Sequence, residues 1–141
     1  MTNIKEFTPL NGETVLTQIE GNAWNDNPNP ITQLFAGVLK LFWTILGIKL
    51  CTYIIVTNLR VVQVDKKTIL WGILPGAVTV LTLNKSTIQS VGYAMASSWF
   101  IFRKYYFVLA NMSGVLRLTY KGDKNRLIEA CSIIDNVVTQ K

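Results

Sequence analysis

The stretch YIIVTNLRVVQVD, residues 53–65, decides the fold that this sequence predicts. It contains two short runs of β-branched and apolar residues, which only Asn58 and Leu59 separate. Because such residues favour strands and a two-residue connection reverses the chain tightly, the stretch predicts an antiparallel hairpin. The rest of the chain can be interpreted around this hairpin.

Further short runs on both sides of the hairpin are also rich in β-branched and apolar residues that favour strands. Upstream, GETVLTQIEGNAW predicts a strand that ends in the turn-rich NDNPNP. Downstream, TILWGILPGAVTVLTL contains Pro75 and Gly76 near its centre, which predicts a strand or turn and then a separate strand over Val78 to Leu83. STIQSVGYAM predicts another strand, and YYFVLA with VLRLTY predicts a second hairpin in which Gly114 takes a positive φ. The fold class is therefore α+β and mainly β, with antiparallel strands.

The last segment, DKNRLIEACSIIDNVVTQK, predicts a C-terminal helix over residues 123–139. Asp123 is placed to cap its N-terminus, and apolar residues recur at helical spacing from Leu127 to Val138. The helix is amphipathic and should close one side of the sheet. Cys131 lies on its apolar face, so we expect that thiol to be a packing residue rather than a nucleophile.

The most apolar run is ITQLFAGVLKLFWTILGI, residues 31–48, which predicts an additional apolar helix near the N-terminus. At 1.5 Å per residue it reaches about 27 Å, just short of a hydrocarbon core of about 30 Å, and Lys40 in its middle would cost about 2.5–3.5 kcal/mol on insertion. The helix can therefore be a marginal membrane span, a helix-pairing surface, or a helix buried against the domain or a second subunit. The candidate membrane or oligomer contacts are Phe35, Leu39, Phe42 and Trp43.

Composition argues for one binding domain rather than an enzyme. The chain has 141 residues, of which 50% are hydrophobic and 16% charged, and it contains no histidine. Without histidine it lacks the commonest general base and transition-metal ligand, and its eight acids are scattered. No phosphate loop or nucleophile motif occurs, so we expect no catalytic site, no metal and no cofactor. The opening residues MTNIKEFTPLNGE lack the apolar run of a signal peptide, which predicts a cytoplasmic protein with reduced thiols.

The charge distribution favours an anionic partner. The formal net charge is +6, and no acid occurs between Lys66 and Lys121. A basic surface of this kind attracts lipid head groups or nucleic acid, although it also serves solubility. The candidate anion-binding residues are Lys66, Lys67, Lys85, Arg103 and Lys104.

The segment WFIFRKYYF, residues 99–107, combines six aromatic residues with two adjacent cations. As a strand it is apolar on both faces, which predicts burial on both sides. A break before Arg103 would instead let Trp99 and Phe100 enter a membrane interface. The alternative function is an oligonucleotide-binding small β-barrel that uses residues 99–107. We disfavour nucleic acid, because the cations are not interleaved with the aromatic side chains as stacking platforms require.

Three pieces of the sequence resemble the bacterial pleckstrin-homology-like (PH-like) domain family. They are LNGETVL at residues 10–16, the hairpin stretch at 53–65, and LTLNKSTIQSV at 81–91. The hairpin stretch is the most specific of the three, because it has the family's order of an aromatic, apolar residues, Thr57, a turn residue and Arg60. With the elements between them, these pieces cover about half of the chain.

The resemblance implies a single domain over residues 1–141 with a strongly bent antiparallel sheet, or partly open barrel, of about seven strands closed by the C-terminal helix. It implies a non-enzymatic binding scaffold that acts through homo-oligomerisation and through a protein partner or the inner face of the cytoplasmic membrane. Thr57 and Arg60 are then structural signature residues. The phosphoinositide site of eukaryotic relatives transfers poorly, because Arg60 is the only cation beside the first hairpin turn; we expect it to fix the turn or pair with an acid.

Overall fold

A computed structural model describes residues 4–22, 38–39, 41–98 and 102–139 of the chain. The strands are β1 (Val15–Asn22), β2 (Lys49–Thr57), β3 (Val61–Ile69), β4 (Leu74–Leu83), β5 (Ile88–Ser98), β6 (Phe102–Asn111) and β7 (Gly114–Tyr120), and the C-terminal helix spans Lys124–Thr139. Two short 3₁₀ turns, Leu70–Gly72 and Lys85–Thr87, precede β4 and β5.

The seven strands form one antiparallel sheet in the order β4-β3-β2-β1-β7-β6-β5. β4 and β5 are its two edges, so the sheet is not closed. β1 pairs with β2 along most of its length but with β7 only at Gly21 and Asn22. A Cβ at Gly21 would lie 2.8 Å from the carbonyl oxygen of Thr119, so glycine permits the close approach of the two halves. The predicted α+β, mainly β class is confirmed, with seven antiparallel strands in one open sheet and a C-terminal helix.

One main core joins both halves of the sheet to the C-terminal helix. It combines buried side chains from six strands, all but β4, with the inner face of the helix; the fully buried members include Ile19, Ile54, Val56, Val61, Phe107, Leu109, Leu118, Leu127 and Ile134. The helix contacts β5 and β1, and Cys131 packs at the margin of this core, where burial raises the pKa of its thiol to about 11. A thiol with so high a pKa is inert at neutral pH, as its packing role predicts.

The turn between β2 and β3 and the start of the C-terminal helix lie where the sequence predicts them. The Thr57 N–H donates to the Arg60 carbonyl oxygen at 2.9 Å, which closes the turn over Asn58 and Leu59. The Asp123 carboxylate accepts from the Asn125 N–H at 3.0 Å, so Asp123 caps the helix.

The helix in the apolar segment ends earlier than the sequence predicted. Its described part is helical at 38–39 and 41–45, and β2 begins at Lys49, whereas we predicted a helix up to Ile48. The Ile48 N–H donates to the Trp43 carbonyl and the Gly47 N–H to the Thr44 carbonyl, with Gly47 at φ +64°. This is the Schellman arrangement that ends helices at glycine. Within the described residues, none of the helices has the length and apolar character that crossing a membrane requires.

Two strands also differ from the expectation. β4 begins at Leu74 rather than Val78, because proline is tolerated on an edge strand, where its missing N–H breaks no ladder. In β6, Phe107 and Leu109 are buried, but Tyr106 and Val108 on the other face are only half-buried. The prediction that both faces of this strand are buried is therefore confirmed only for the face that carries Phe107 and Leu109. Residues 99–101 lie outside the described residues.

Candidate functional site

Three connections of the chain come together at one end of the β1–β4 part of the sheet. β1 ends there at Asn22, β2 begins at Lys49 and β3 ends at Ile69, and Lys121, which follows β7, lines a cavity with Asn22, Lys49 and Trp71. In sequence, these connections are 23–48, 70–73 and 121–123. Three of the four tryptophans, Trp24, Trp43 and Trp71, belong to them. The structure describes residues 38–39 and 41–48 of the first connection and all of the other two.

The described connections leave large apolar side chains exposed. Phe42 is 63% exposed, Trp71 63% and Ile73 78%. We call this surface the apolar end; its members are Leu41, Phe42, Ile45, Leu46, Trp71 and Ile73, all of them exposed. A contiguous exposed group of this kind is unusual on a soluble monomer and marks an interaction surface.

The backbone fixes the two parts of the apolar end to each other. The Trp71 N–H donates to the Gly47 carbonyl oxygen at 2.8 Å, and a Cβ at Gly47 would lie 2.5 Å from the Trp71 nitrogen. Leu70 and Trp71 both have positive φ, 51° and 55°, which costs non-glycine residues energy. Strained backbone that surrounding structure maintains is concentrated at functional sites. The strain is therefore consistent with a surface shaped for binding.

Cations lie close behind the apolar end. Lys67 Nζ is 5.4 Å from the centre of the Trp43 ring, within the range of a cation–π interaction. Lys49 and Lys121 line a cavity of about 280 Å³ together with Trp71 and Cys51. Among the described side chains, no acid lines this cavity. The arrangement places positive charge at the base of exposed apolar side chains.

Of the four predicted contact residues, Phe42 belongs to the apolar end, and Leu39 and Trp43 lie on the same segment. Leu39 and Phe42 are exposed, and Trp43 is half-buried under Lys67. Phe35 lies outside the described residues. The predicted basis for the surface, a helix over residues 31–48, can be described only in its second half. What sequence reasoning missed was Trp71 and Ile73, whose relevant signal is the charge-free, turn-forming LWGI before β4.

The five predicted anion-binding residues do not form one site. Lys67 lies over the Trp43 ring at the apolar end, whereas Arg103 and Lys104 are exposed at the start of β6. Lys66 pairs with Glu6 at 2.8 Å, which holds the pKa of that carboxyl below its usual range. Lys85 lies at the opposite end, where it donates to the Asn58 carbonyl oxygen at 2.8 Å. The sequence did not single out Lys49 and Lys121, although Lys49 directly follows the apolar segment.

The opposite end of the sheet carries a different cluster, Glu13, Thr57 and Arg60, which we call the turn cluster. The Glu13 side chain has no exposed surface; it accepts from Arg60 Nε at 2.8 Å, from the Thr57 hydroxyl at 2.8 Å and from the Leu10 N–H at 2.7 Å. The Arg60 guanidinium lowers the pKa of the Glu13 carboxyl to about 2, against the effect of its burial. Arg60 also lies over the Phe7 ring. The turn cluster is closed and satisfied, so it serves the fold rather than a ligand.

A groove of about 440 Å³ lies where β1 and β7 diverge. Its lining is polar and of mixed charge, including Gln18, Glu20, Arg126 and Glu129. Elsewhere among the described residues, no three His, Cys, Asp or Glu side chains come together as a metal site would need. The polar, mixed-charge lining of this groove is a less distinctive surface than the exposed apolar side chains of the apolar end.

No family model, curated protein or solved structure matches this chain. Any inference about function therefore rests on the residues and the geometry described above.

Proposed function

We propose that this chain is a non-enzymatic binding module of the PH-like type that docks on an anionic membrane surface through the apolar end. The observation that carries the proposal is the exposure of Phe42, Trp71 and Ile73 on two connections that a backbone hydrogen bond joins, with Lys67 against the neighbouring Trp43 ring. Exposed apolar side chains with cations beside them are the pattern of proteins that insert side chains into the interface of a bilayer.

The apolar term alone supports reversible binding. Fully burying one Phe, Leu or Ile side chain is worth about 1.5–3 kcal/mol. Side chains that are already about one-third covered gain less, and the immobilised surface loses entropy, so a few such residues give weak attachment. Tryptophan at this position is favourable, because its ring suits the boundary between head groups and hydrocarbon.

The electrostatic term adds selectivity for anionic lipid. Each basic residue near an anionic surface contributes about 1 kcal/mol. Lys49, Lys67 and Lys121 would together contribute about 3 kcal/mol, which corresponds to a factor of about 100 in affinity. We therefore expect anionic vesicles to be bound and neutral ones to be bound poorly.

The alternative oligonucleotide function receives little support from β6. Phe107 is fully buried and Tyr105 packs against the main core, so neither ring face is open to a nucleobase. Stacking on exposed aromatic faces is what single-strand binders require. Arg103 and Lys104 are exposed, but the aromatic side chains that follow them on β6, Tyr105, Tyr106 and Phe107, are half-buried or buried.

The test is co-sedimentation with vesicles that contain phosphatidylglycerol. Phe42→Asp combined with Ile73→Asp places two charges on the apolar end, and we expect the affinity to fall at least about 100-fold, since inserting each charge into the interface costs more than 1 kcal/mol. The matched control is Met112→Asp combined with Val115→Asp, which changes two exposed apolar residues at the opposite end of the sheet. Equal losses in both double variants, or none in the first, would refute the proposal.

A second arm isolates the lipid charge. Changing Lys49, Lys67 and Lys121 to Gln should reduce binding to anionic vesicles about 100-fold and leave the residual binding to phosphatidylcholine vesicles unchanged. Binding that is equally strong on both kinds of vesicle in the unmodified protein would mean that charge takes no part.

A further inference from the structure

β4 is an edge strand without the usual protection. It extends over ten residues, Leu74–Leu83, and within the described part of the chain only β3 pairs with it. Its outer edge therefore presents a row of backbone donors and acceptors. Natural proteins protect such edges with charged residues, proline or a covering element. Here the only such device in the strand is Pro75, next to its beginning.

The absence of charge extends beyond the strand itself. From Thr68 to Asn84 the chain has no charged residue, although its formal net charge is +6. Two copies of a cationic protein repel each other across most surfaces. Two β4 edges can meet without bringing like charges into contact, which makes this strand electrostatically compatible with a second copy.

β4 is also apolar on both faces, and the described residues leave most of both faces exposed. Val80 is 46% exposed and Leu81, which points to the other face, is 47% exposed. On one face Val80 lies beside the buried Val64, and on the other Leu83 packs against the main core. A strand that is apolar on both faces is typical of the interior of a sheet rather than its edge.

We propose that β4 pairs with β4 of a second copy, antiparallel, to give a homodimer with one continuous sheet. A twofold axis perpendicular to the sheet produces antiparallel pairing and keeps each face on its own side. Residues of equal parity then lie opposite each other, so one β4 residue lies on the axis opposite its own copy. Pro75 restricts the shared ladder to the part of β4 that follows it.

The other edge, β5, is less suited to this pairing. The C-terminal helix packs against it, and small residues, Ser90, Gly92, Ala94 and Ala96, alternate along one face. Pairing of β4 with β5 of another copy would be heterologous and would produce rings or filaments rather than dimers. The size of the assembly therefore distinguishes the two arrangements.

The dimer has a consequence that rests on the proposed function. β4 begins at the apolar end, so antiparallel pairing directs the apolar ends of the two copies in opposite directions along the strands. Such a dimer can attach to two bilayers at once. It should therefore aggregate anionic vesicles, whereas a monomer should only bind to them.

The first test is sedimentation velocity without lipid. The unmodified protein should be a dimer, and Val80→Lys should raise the dissociation constant at least about 100-fold, because two like charges meet across the axis region. The matched control, Val115→Lys, changes an exposed valine on β7 and should leave the dimer intact. Thr79→Lys repeats the test at an exposed residue if Val80→Lys impairs folding. A monomeric wild type, a larger assembly, or equal effects in control and test would overturn the proposal.

The second test locates the axis. In a background with Cys51→Ser and Cys131→Ala, single cysteines at positions 78 to 82 are oxidised and separated without reductant. The cysteine on the twofold axis should cross-link strongly, because it lies opposite the same residue of the second copy. The cysteines on either side of it should cross-link weakly, because each lies opposite a different residue of the second copy. Uniform cross-linking, or none, would contradict antiparallel pairing.

Vesicle aggregation separates this inference from the proposed function. Val80→Lys should bind anionic vesicles normally without aggregating them, and Phe42→Asp with Ile73→Asp should remain dimeric without binding them. Dimers that bind vesicles but never aggregate them would contradict the opposed orientation of the apolar ends. Loss of vesicle binding in the wild type would refute the membrane proposal and leave the dimer standing.

Discussion

The two ends of the sheet differ in how their side chains are satisfied: polar groups are enclosed and paired at one end, and apolar groups are exposed at the other. At one end, the turn cluster joins Glu13, Thr57 and Arg60 in hydrogen bonds that leave the carboxylate fully enclosed. At the other, the apolar end exposes Phe42 and Trp71, and the backbone at Trp71 has a positive φ. The first arrangement stabilises the folded chain by itself, whereas the second leaves apolar surface whose burial requires something outside the described residues.

This contrast indicates that the residues that stabilise the fold and the residues proposed to dock on a membrane lie at different ends of the sheet. Changes to the turn cluster should affect unfolding and leave docking of the folded protein intact, and changes to the apolar end should do the reverse. The predictions below test that separation, beginning with the largest expected change in the free energy of unfolding.

Glu13→Ala should produce the largest loss of stability. It removes the acceptor of Arg60 Nε, the Thr57 hydroxyl and the Leu10 N–H together. Removing one partner of an enclosed ion pair costs about 3–5 kcal/mol, and since Arg60 is partly exposed to water we expect about 3 kcal/mol. Urea unfolding measures this loss. Glu129→Ala, at an exposed acid of the C-terminal helix, is the matched control and should change stability by less than about 0.5 kcal/mol.

The turn cluster should also make the chain sensitive to acid. The pKa of Glu13 is lowered to about 2 in the folded state from 4.5, so its contribution is present above about pH 4.5 and is lost as the pH falls toward 2. Stability measured by urea unfolding should therefore differ between the wild type and Glu13→Gln at pH 6, and the difference should shrink as the pH approaches 2. A constant difference across this range would mean that the carboxylate charge contributes nothing.

Gly47→Ala should produce the next largest effect, now at the apolar end. Alanine at φ +64° costs about 1–2 kcal/mol, and its Cβ would meet the Trp71 backbone nitrogen, so we expect a loss of about 2 kcal/mol or a displaced Trp71 turn. Tryptophan fluorescence and thermal unfolding report these two outcomes. Gly92→Ala is the control, because a Cβ there meets nothing within 4 Å; equal effects at both glycines would contradict the predicted role of Gly47.

The fold was predictable where short-range chemistry determines it. The Asn58-Leu59 reversal depends on residues within the turn, and the helix start at Asp123 depends on a side chain two residues from its partner. The sequence interpretation erred where long-range context decides. Pro75 suggested a break, but an edge strand accommodates it, and the edge position follows only from the order of the whole sheet. Gly47, by contrast, was an available signal for the helix end.

The candidate site was harder to predict because it assembles from distant parts of the chain. Lys49 and Lys121 meet Trp71 only because β2, β7 and the β3–β4 connection converge at one end. Arg60 finds Glu13 across 47 residues of sequence. Charge counting alone treated Lys66, Lys67 and Lys85 alike, whereas the structure gives them three different surroundings: a glutamate, an indole ring and a backbone carbonyl.

Asp123→Ala should have a smaller effect than either change above. It removes the cap of the Asn125 N–H at the start of the C-terminal helix, where losing such a side chain costs about 1 kcal/mol. Thermal unfolding measures the loss. Asp135→Ala, which removes an exposed acid in the last turns of the same helix, should be neutral or slightly stabilising because a negative charge opposes the helix dipole there. A reversed order of the two variants would contradict the capping role.

Phe42→Asp should have the smallest effect on stability, and that small effect tests the separation most directly. The side chain is 63% exposed, so the folded state buries little of it, and exposed substitutions usually change the free energy of unfolding by less than about 0.5 kcal/mol. If the apolar end instead packs against part of the chain, the charge would cost several times more, as in a core. Urea unfolding without lipid distinguishes these cases. An unchanged midpoint, together with lost vesicle binding, would show that the exposed ring contributes to docking and not to folding, whereas a large shift would mean that the apolar end is part of the core.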